Sequence, residues 1–134
     1  MFLPSDGEES GIVNISQAWG SGTEYLTSIS VDGEQINSKE GDLNNNYVNS
    51  FNFPIKPITY IGFNIREVPV DTVFVSFNDN GYATFDAGDN PGEFILKIDN
   101  NLHIVTLYLD DIEIPASVMR IYTDVSLVNI YFQP

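Results

Sequence analysis

Cysteine is absent from the chain, which excludes disulfides, thiolate metal sites and thiol nucleophiles. Basic residues are nearly as scarce. Five Lys and Arg stand against 19 Asp and Glu, for a formal net charge of −14. So few cations cannot neutralise a phosphate backbone, and an anionic membrane surface repels the chain for the same reason. Neither nucleic acid nor a membrane is therefore expected as a partner. Histidine occurs once, as His103, and the G-x-S-x-G, H-E-x-x-H and phosphate-cradling G-x-x-x-x-G-K-[ST] patterns do not occur. No apolar run approaches the roughly 20 residues of a membrane-spanning helix. The stretch from Met1 to Glu9 lacks the basic and long apolar regions of a signal peptide.

What the chain does contain is β-forming. Its 134 residues include 15 Ile, 11 Val, 9 Phe and 7 Tyr, the side chains that suit a pleated, half-buried surface. A chain of this length makes one domain burying roughly two-thirds of its unfolded surface. Twelve β-type segments follow one another at sandwich-like spacing, near 12–18, 25–31, 34–37, 47–53, 58–66, 72–78, 82–87, 93–99, 102–109, 112–114, 118–123 and 126–132. No window of ten residues keeps a 3.6 period, although one helical turn fits at 116–119. The expected fold is all-β: an antiparallel β-sandwich, jelly-roll or Ig-like, of about 8–11 short strands, as one domain over 1–134 with residues 1–11 as an acidic arm.

Three hairpin registers follow from turn chemistry and alternation. A two-residue loop at Asn100-Asn101 sets Phe94, Leu96 and Ile98 opposite Leu107, Val105 and His103. A three-residue loop at Asp79-Asn80-Gly81, with Gly81 left-handed, sets Val73, Val75 and Phe77 opposite Ala87, Phe85 and Ala83. An Asp32-Gly33 loop pairs Ile29 with Ile36.

Candidate chemistry is thin. The register places His103 at a core edge without a partnered nucleophile, and Asp110 and Asp111, read as strand neighbours, point to opposite faces. No catalytic residue is assigned, and the chain is expected not to be an enzyme. Asp86, Asp89 and Asn90 are hard oxygen donors that suit Ca²⁺, but the stretch 77–94 lacks the EF-hand order and turn formation accounts for its letters. Water is the expected occupant and no cofactor is required. Trp19, Tyr47, Asn45 and Asn46 combine flat rings with amide groups, as a sugar platform does. Segments 102–109 and 126–132 are apolar on both faces, which implies a central position or a covering partner.

The texture of the chain, with 14 Asn against 3 Lys, the loop SKEGDLNNNYVNSFNF and short β segments running to the last residue, resembles small accessory proteins of bacteriophage virions. That resemblance implies a β-sandwich module that decorates a capsid or forms part of a head or tail fibre. It implies a structural role without catalysis, other protein subunits as partners in a homo- or hetero-oligomer, and a place in the virion after assembly in the host cytoplasm. Bacterial adhesin-type domains share the texture. The alternative is therefore a carbohydrate- or receptor-binding module, extracellular or at a cell surface, that reads a glycan through Trp19 and Tyr47.

Overall fold

Alternation of apolar and polar residues sends successive side chains to opposite faces of a strand, so each apolar set must meet another sheet. The computed structural model, which describes residues 10–17, 26–37, 49–78, 81–121 and 125–134, solves this with two six-stranded sheets packed together. The strands are β1 (Ser10–Gln17), β2 (Leu26–Val31), β3 (Glu34–Asn37), β4 (Asn49–Pro54), β5 (Ile58–Ile65), β6 (Thr72–Phe77), β7 (Gly81–Asp86), β8 (Gly92–Asp99), β9 (Ile104–Leu109), β10 (Ile112–Ile114), β11 (Ala116–Arg120) and β12 (Leu127–Gln133). The first sheet runs β11-β7-β6-β12-β1-β4 and the second β10-β9-β8-β5-β2-β3. All pairs are antiparallel except β1 with β12, which run parallel in the interior of the first sheet.

The chain is thus an all-β sandwich, as expected, with twelve strands among the described residues against the expected 8–11. Ser10 and Gly11 belong to β1 and not to an arm, and residues 116–119 lie on a strand rather than a helical turn. Val13, Val75, Phe85, Ile130 and Phe132 from the first sheet meet Ile61, Phe63, Phe94, Leu96 and Leu107 from the second in one buried cluster. The ring of Phe132 crosses the gap, edge-on to Phe63 at 5.8 Å and tilted against Phe94 at 5.3 Å.

Two of the expected registers are displaced by two residues. In the β8–β9 hairpin Phe94, Leu96 and Ile98 pair with Leu109, Leu107 and Val105, and Asp99 pairs with Ile104. The loop is four residues long because Asp99 Oδ1 accepts from the N–H groups of Asn101 and Leu102, at 2.9 and 3.0 Å. His103 therefore leaves the sheet and sits in the loop at φ 56°. In the β6–β7 hairpin Val73, Val75 and Phe77 pair with Phe85, Ala83 and Gly81. The left-handed residue is Asn78, at φ 51°, and not Gly81. A shift of two leaves every side chain on its original face, so hydrophobic patterning cannot distinguish the two registers.

Two other expectations change for local reasons. The Asp32-Gly33 loop forms, with φ of 51° and 84°, but an irregularity between Ile29 and Ser30 pairs Ile29 with Asn37 and leaves Ile36 on the surface. Asp110 and Asp111, at φ 48° and 68°, are the two-residue turn between β9 and β10 rather than strand neighbours. Positive φ at both central positions is the type I′ signature, which Asp tolerates better than most residues.

Asparagine side chains connect the loops. Asn78 Oδ1 accepts from Ser126 N–H, Ser126 Oγ–H and Leu127 N–H at 3.0–3.1 Å, so the entry to β12 hangs on it. Asn100 donates to the Lys56 carbonyl and accepts from Val125 N–H. Asn78→Ala deletes three hydrogen bonds and puts a β-carbon residue without a polar side chain at positive φ. The expected loss is about 2 kcal/mol, a fall in Tm of roughly 5–10 °C by circular dichroism. A Tm unchanged within a degree would show that these bonds are replaced by water at no cost.

Candidate functional site

The outward surfaces of the two sheets differ in charge. Across the first sheet, Arg120, Tyr82, Ser76, Asn129, Asn14 and Ser50 lie side by side on six successive strands. Their amides form a ladder: Asn14 Nδ2 donates to Asn129 Oδ1 at 3.0 Å, and Asn129 Nδ2 donates to Ser76 Oγ at 3.3 Å. The adjoining row carries Val118, Thr84, Phe74, Tyr131 and Ser16. Ile12, Phe74, Tyr82 and Val118 are each 40–44% exposed on this face. On the described strands, ionised side chains face this way only at the two ends of the β7–β11 edge, as Arg120 and Asp86, and the Asp71 carboxylate reaches its rim through Thr72 Oγ.

The outward surface of the second sheet also carries half-exposed apolar residues, Ile58, Tyr60 and Ile104. There they alternate with Glu93, Lys97 and Asp99 on β8 and with Glu113 on β10. A shallow depression of about 170 Å³ opens over Gly62, bordered by Ser28, Ser30, Gln35 and Tyr60. It is smaller than the roughly 300–1,000 Å³ usual for ligand clefts.

A larger cleft of about 410 Å³ lies where the β7–β8 connection faces the β9–β10 hairpin. Ala87, Pro91, Leu109, Ile112 and Ile114 form its apolar part, and Asp86, Asn90 and Asp110 its polar part. Local turn chemistry positions each wall. Asp86 Oδ1 accepts from Gly88 N–H at 2.9 Å, while Asn90 Nδ2 donates to the carbonyls of Ala87 and Gly88. Asp110 Oδ1 accepts from Glu93 N–H at 3.0 Å, and Asp110 N–H donates to the Glu93 carbonyl at 2.9 Å. Gly92, at φ 151°, lets the hairpin fold this close: a β-carbon there falls 2.7 Å from Asp110 Oδ2 and 2.8 Å from Leu109 Cδ1.

No family model, no curated protein and no solved structure matches this chain.

Of the residues singled out from sequence, Asp86, Asp89 and Asn90 lie at the end of β7 and in the connection that follows it. Asp86 and Asn90 border the cleft as turn residues, and Asp89 sits beside them, exposed, at φ 63°. Among the described residues no group of three or more His, Asp or Glu is placed to hold a metal ion. Trp19, Tyr47, Asn45 and Asn46, the sugar-platform residues, lie outside the described residues. Sequence reading missed the amide ladder, because Asn14 and Asn129 meet only through a parallel pairing of strands 115 residues apart. It did flag strand 126–132, whose Leu127 and Tyr131 do look outward while Val128, Ile130 and Phe132 are buried. The cleft left no sequence signal, since its walls come from a connection and a hairpin that pack only once β8 is in place.

Proposed function

We propose that the chain is a non-enzymatic structural protein that docks on a larger assembly through the outward face of the first sheet. The observation that carries this reading is the charge asymmetry. In a chain of net charge −14, one sheet face holds four half-exposed large apolar side chains and almost no ionised groups. Elsewhere any approaching copy or acidic partner meets carboxylates, whose repulsion suppresses association. On this face Phe74 and Tyr82 supply the aromatic anchors typical of interface centres. The Asn14–Asn129–Ser76 ladder holds its amides in each other's hydrogen bonds, so docking does not strand them. The virion setting, as a capsid-decorating or fibre component, draws on the resemblance in texture.

The test is the oligomeric state under light scattering. The wild-type chain is expected to self-associate at millimolar concentration, and Phe74→Glu to weaken that association at least tenfold. Because Phe74 is 40% exposed, the substitution should leave Tm within a few degrees. Ile104→Glu, at 41% exposure on the other sheet, serves as the control and should change neither. A wild-type chain that stays monomeric throughout, or a Phe74→Glu chain that associates like wild type, would refute the assignment of this face.

A further inference from the structure

We infer that the cleft between the β7–β8 connection and the β9–β10 hairpin is a receptor for one arginine side chain of a partner protein. The chemistry of the lining selects the occupant. Two carboxylates, Asp86 and Asp110, border the cleft, and among the described residues no lysine or arginine does. The charge that complements them is a cation. The rest of the lining is apolar, from Leu109, Ile112 and Ile114 on one side to Ala87 and Pro91 on the other. A compact hydrated ion gains nothing from such walls. A cation on an aliphatic stem does, because its methylenes are covered while its head meets carboxylate.

Between the two basic side chains the apolar surroundings favour arginine. Guanidinium is less strongly hydrated than ammonium, and its N–H donors are spread around a plane, so it can meet a carboxylate through a single oxygen while its faces lie on apolar walls. Both carboxylates are already held for that task. Each is fixed through Oδ1 by a backbone N–H, of Gly88 for Asp86 and of Glu93 for Asp110, so a ligand would be met through Oδ2. Little side-chain freedom then remains to be lost on binding. At about 410 Å³ the cleft has room for the guanidinium, its three methylenes and part of the carrying backbone. Ile112, 70% exposed, is the residue that such a stem would cover most.

The arginine comes from another protein rather than from a copy of this chain, on grounds of supply. The chain has only two arginines. Arg66 pairs with Glu67 at 3.2 Å, and Arg120 lies on the outward face of the first sheet. A partner bearing an exposed arginine would also be drawn by the surrounding negative field, which speeds encounter at low salt. This site meets the sheet face of the preceding proposal only at Asp86, at one end of the β7–β11 edge.

The test is a titration of the full ¹⁵N-labelled chain, followed by amide shifts. The probe is the blocked tripeptide Gly-Arg-Gly, with the isosteric Gly-citrulline-Gly, which lacks the charge, as comparison. The arginine peptide should give saturable shifts centred on residues 86–91 and 109–114, and the citrulline peptide should bind at least tenfold more weakly. The double variant Asp86→Asn, Asp110→Asn keeps the turn hydrogen bonds and tolerates the left-handed φ of Asp110, so it should fold and lose at least tenfold in affinity. Three results would overturn the site: no saturable shift, equal binding of the citrulline peptide, or equal binding by the double variant. The titration reads cleft amides on the isolated chain, and light scattering reads association through the sheet face. Failure of one proposal therefore leaves the other standing.

Discussion

Gly11→Val is expected to lower stability by 3 kcal/mol or more, with a Tm at least about 10 °C below wild type, although it adds a good strand former to a strand. Gly11 is buried on β1 and pairs with Phe53 on β4. The aromatic ring lies across the space that a side chain at Gly11 would take. A β-carbon there falls 2.5 Å from Phe53 Cζ and 2.7 Å from the Ser126 carbonyl oxygen. Neither neighbour yields easily. Phe53 is 1% exposed, and the Ser126 carbonyl accepts the N–H of Ile12 at 3.0 Å. The valine must therefore separate β1 from β4 or push the Ser126 carbonyl out of its bond. Urea unfolding monitored by circular dichroism measures the loss. Ser10→Val, one residue earlier on the exposed side of the same strand, should stay within about 0.5 kcal/mol. Equal stabilities for the two variants would mean that Phe53 has somewhere else to go.

Phe132→Ala should cost about 3–5 kcal/mol, a large part of the 5–15 kcal/mol that ordinarily holds a domain together. The ring is fully buried and is the contact of β12 with both Phe63 and Phe94 on the opposite sheet. Its removal opens a cavity between the layers and also deletes two aromatic pairs, each worth roughly 0.5–1.5 kcal/mol beyond area. Alanine cannot refill the space, because the facing rings are held by their own strands. The expected signature is a lower urea midpoint with an unchanged slope, since the surface exposed on unfolding is nearly the same. Tyr131→Ala, on the outward side of the same strand, is the comparison and should lose distinctly less. If it lost more, the inward register of β12 would be wrong.

Much of the fold was legible because it depends on local properties. Alternation at Val73, Val75 and Phe77, and again at Phe94, Leu96 and Ile98, tells which side of each strand is buried, and both sets are buried. The exact partners were not legible. A two-residue slip costs nothing in patterning, and what decides it is whether one carboxylate, that of Asp99, caps the wider loop. Gly81 shows the same limit from the other side. It reads as a turn glycine, yet its position is extended strand, where a β-carbon would meet the Arg120 carbonyl at 2.9 Å. The need for glycine arises from β11, which is not a neighbour in sequence. Both candidate surfaces are legible only in part for that reason. Phe74, Tyr82 and Asp86 could each be placed on a strand face, but the lack of charge around the first two and the cleft beside the third exist only once distant strands are side by side.

The parallel pair inside the first sheet ties the two ends of the strand sequence together. The polypeptide changes layers between β1 and β2, on both sides of β4, between β5 and β6, between β7 and β8, and between β10 and β11. Any single break in this stretch puts β1 and β12 on different pieces and so parts the first sheet between β11-β7-β6-β12 and β1-β4. A break after β10 leaves the second sheet continuous but takes away Phe132, on which its inner face packs. No part of the stretch from β1 to β12 is therefore a smaller copy of the whole. A shorter piece of this stretch lacks strands of both layers or the ring that joins them, so the stretch from β1 to β12 stands as one indivisible unit.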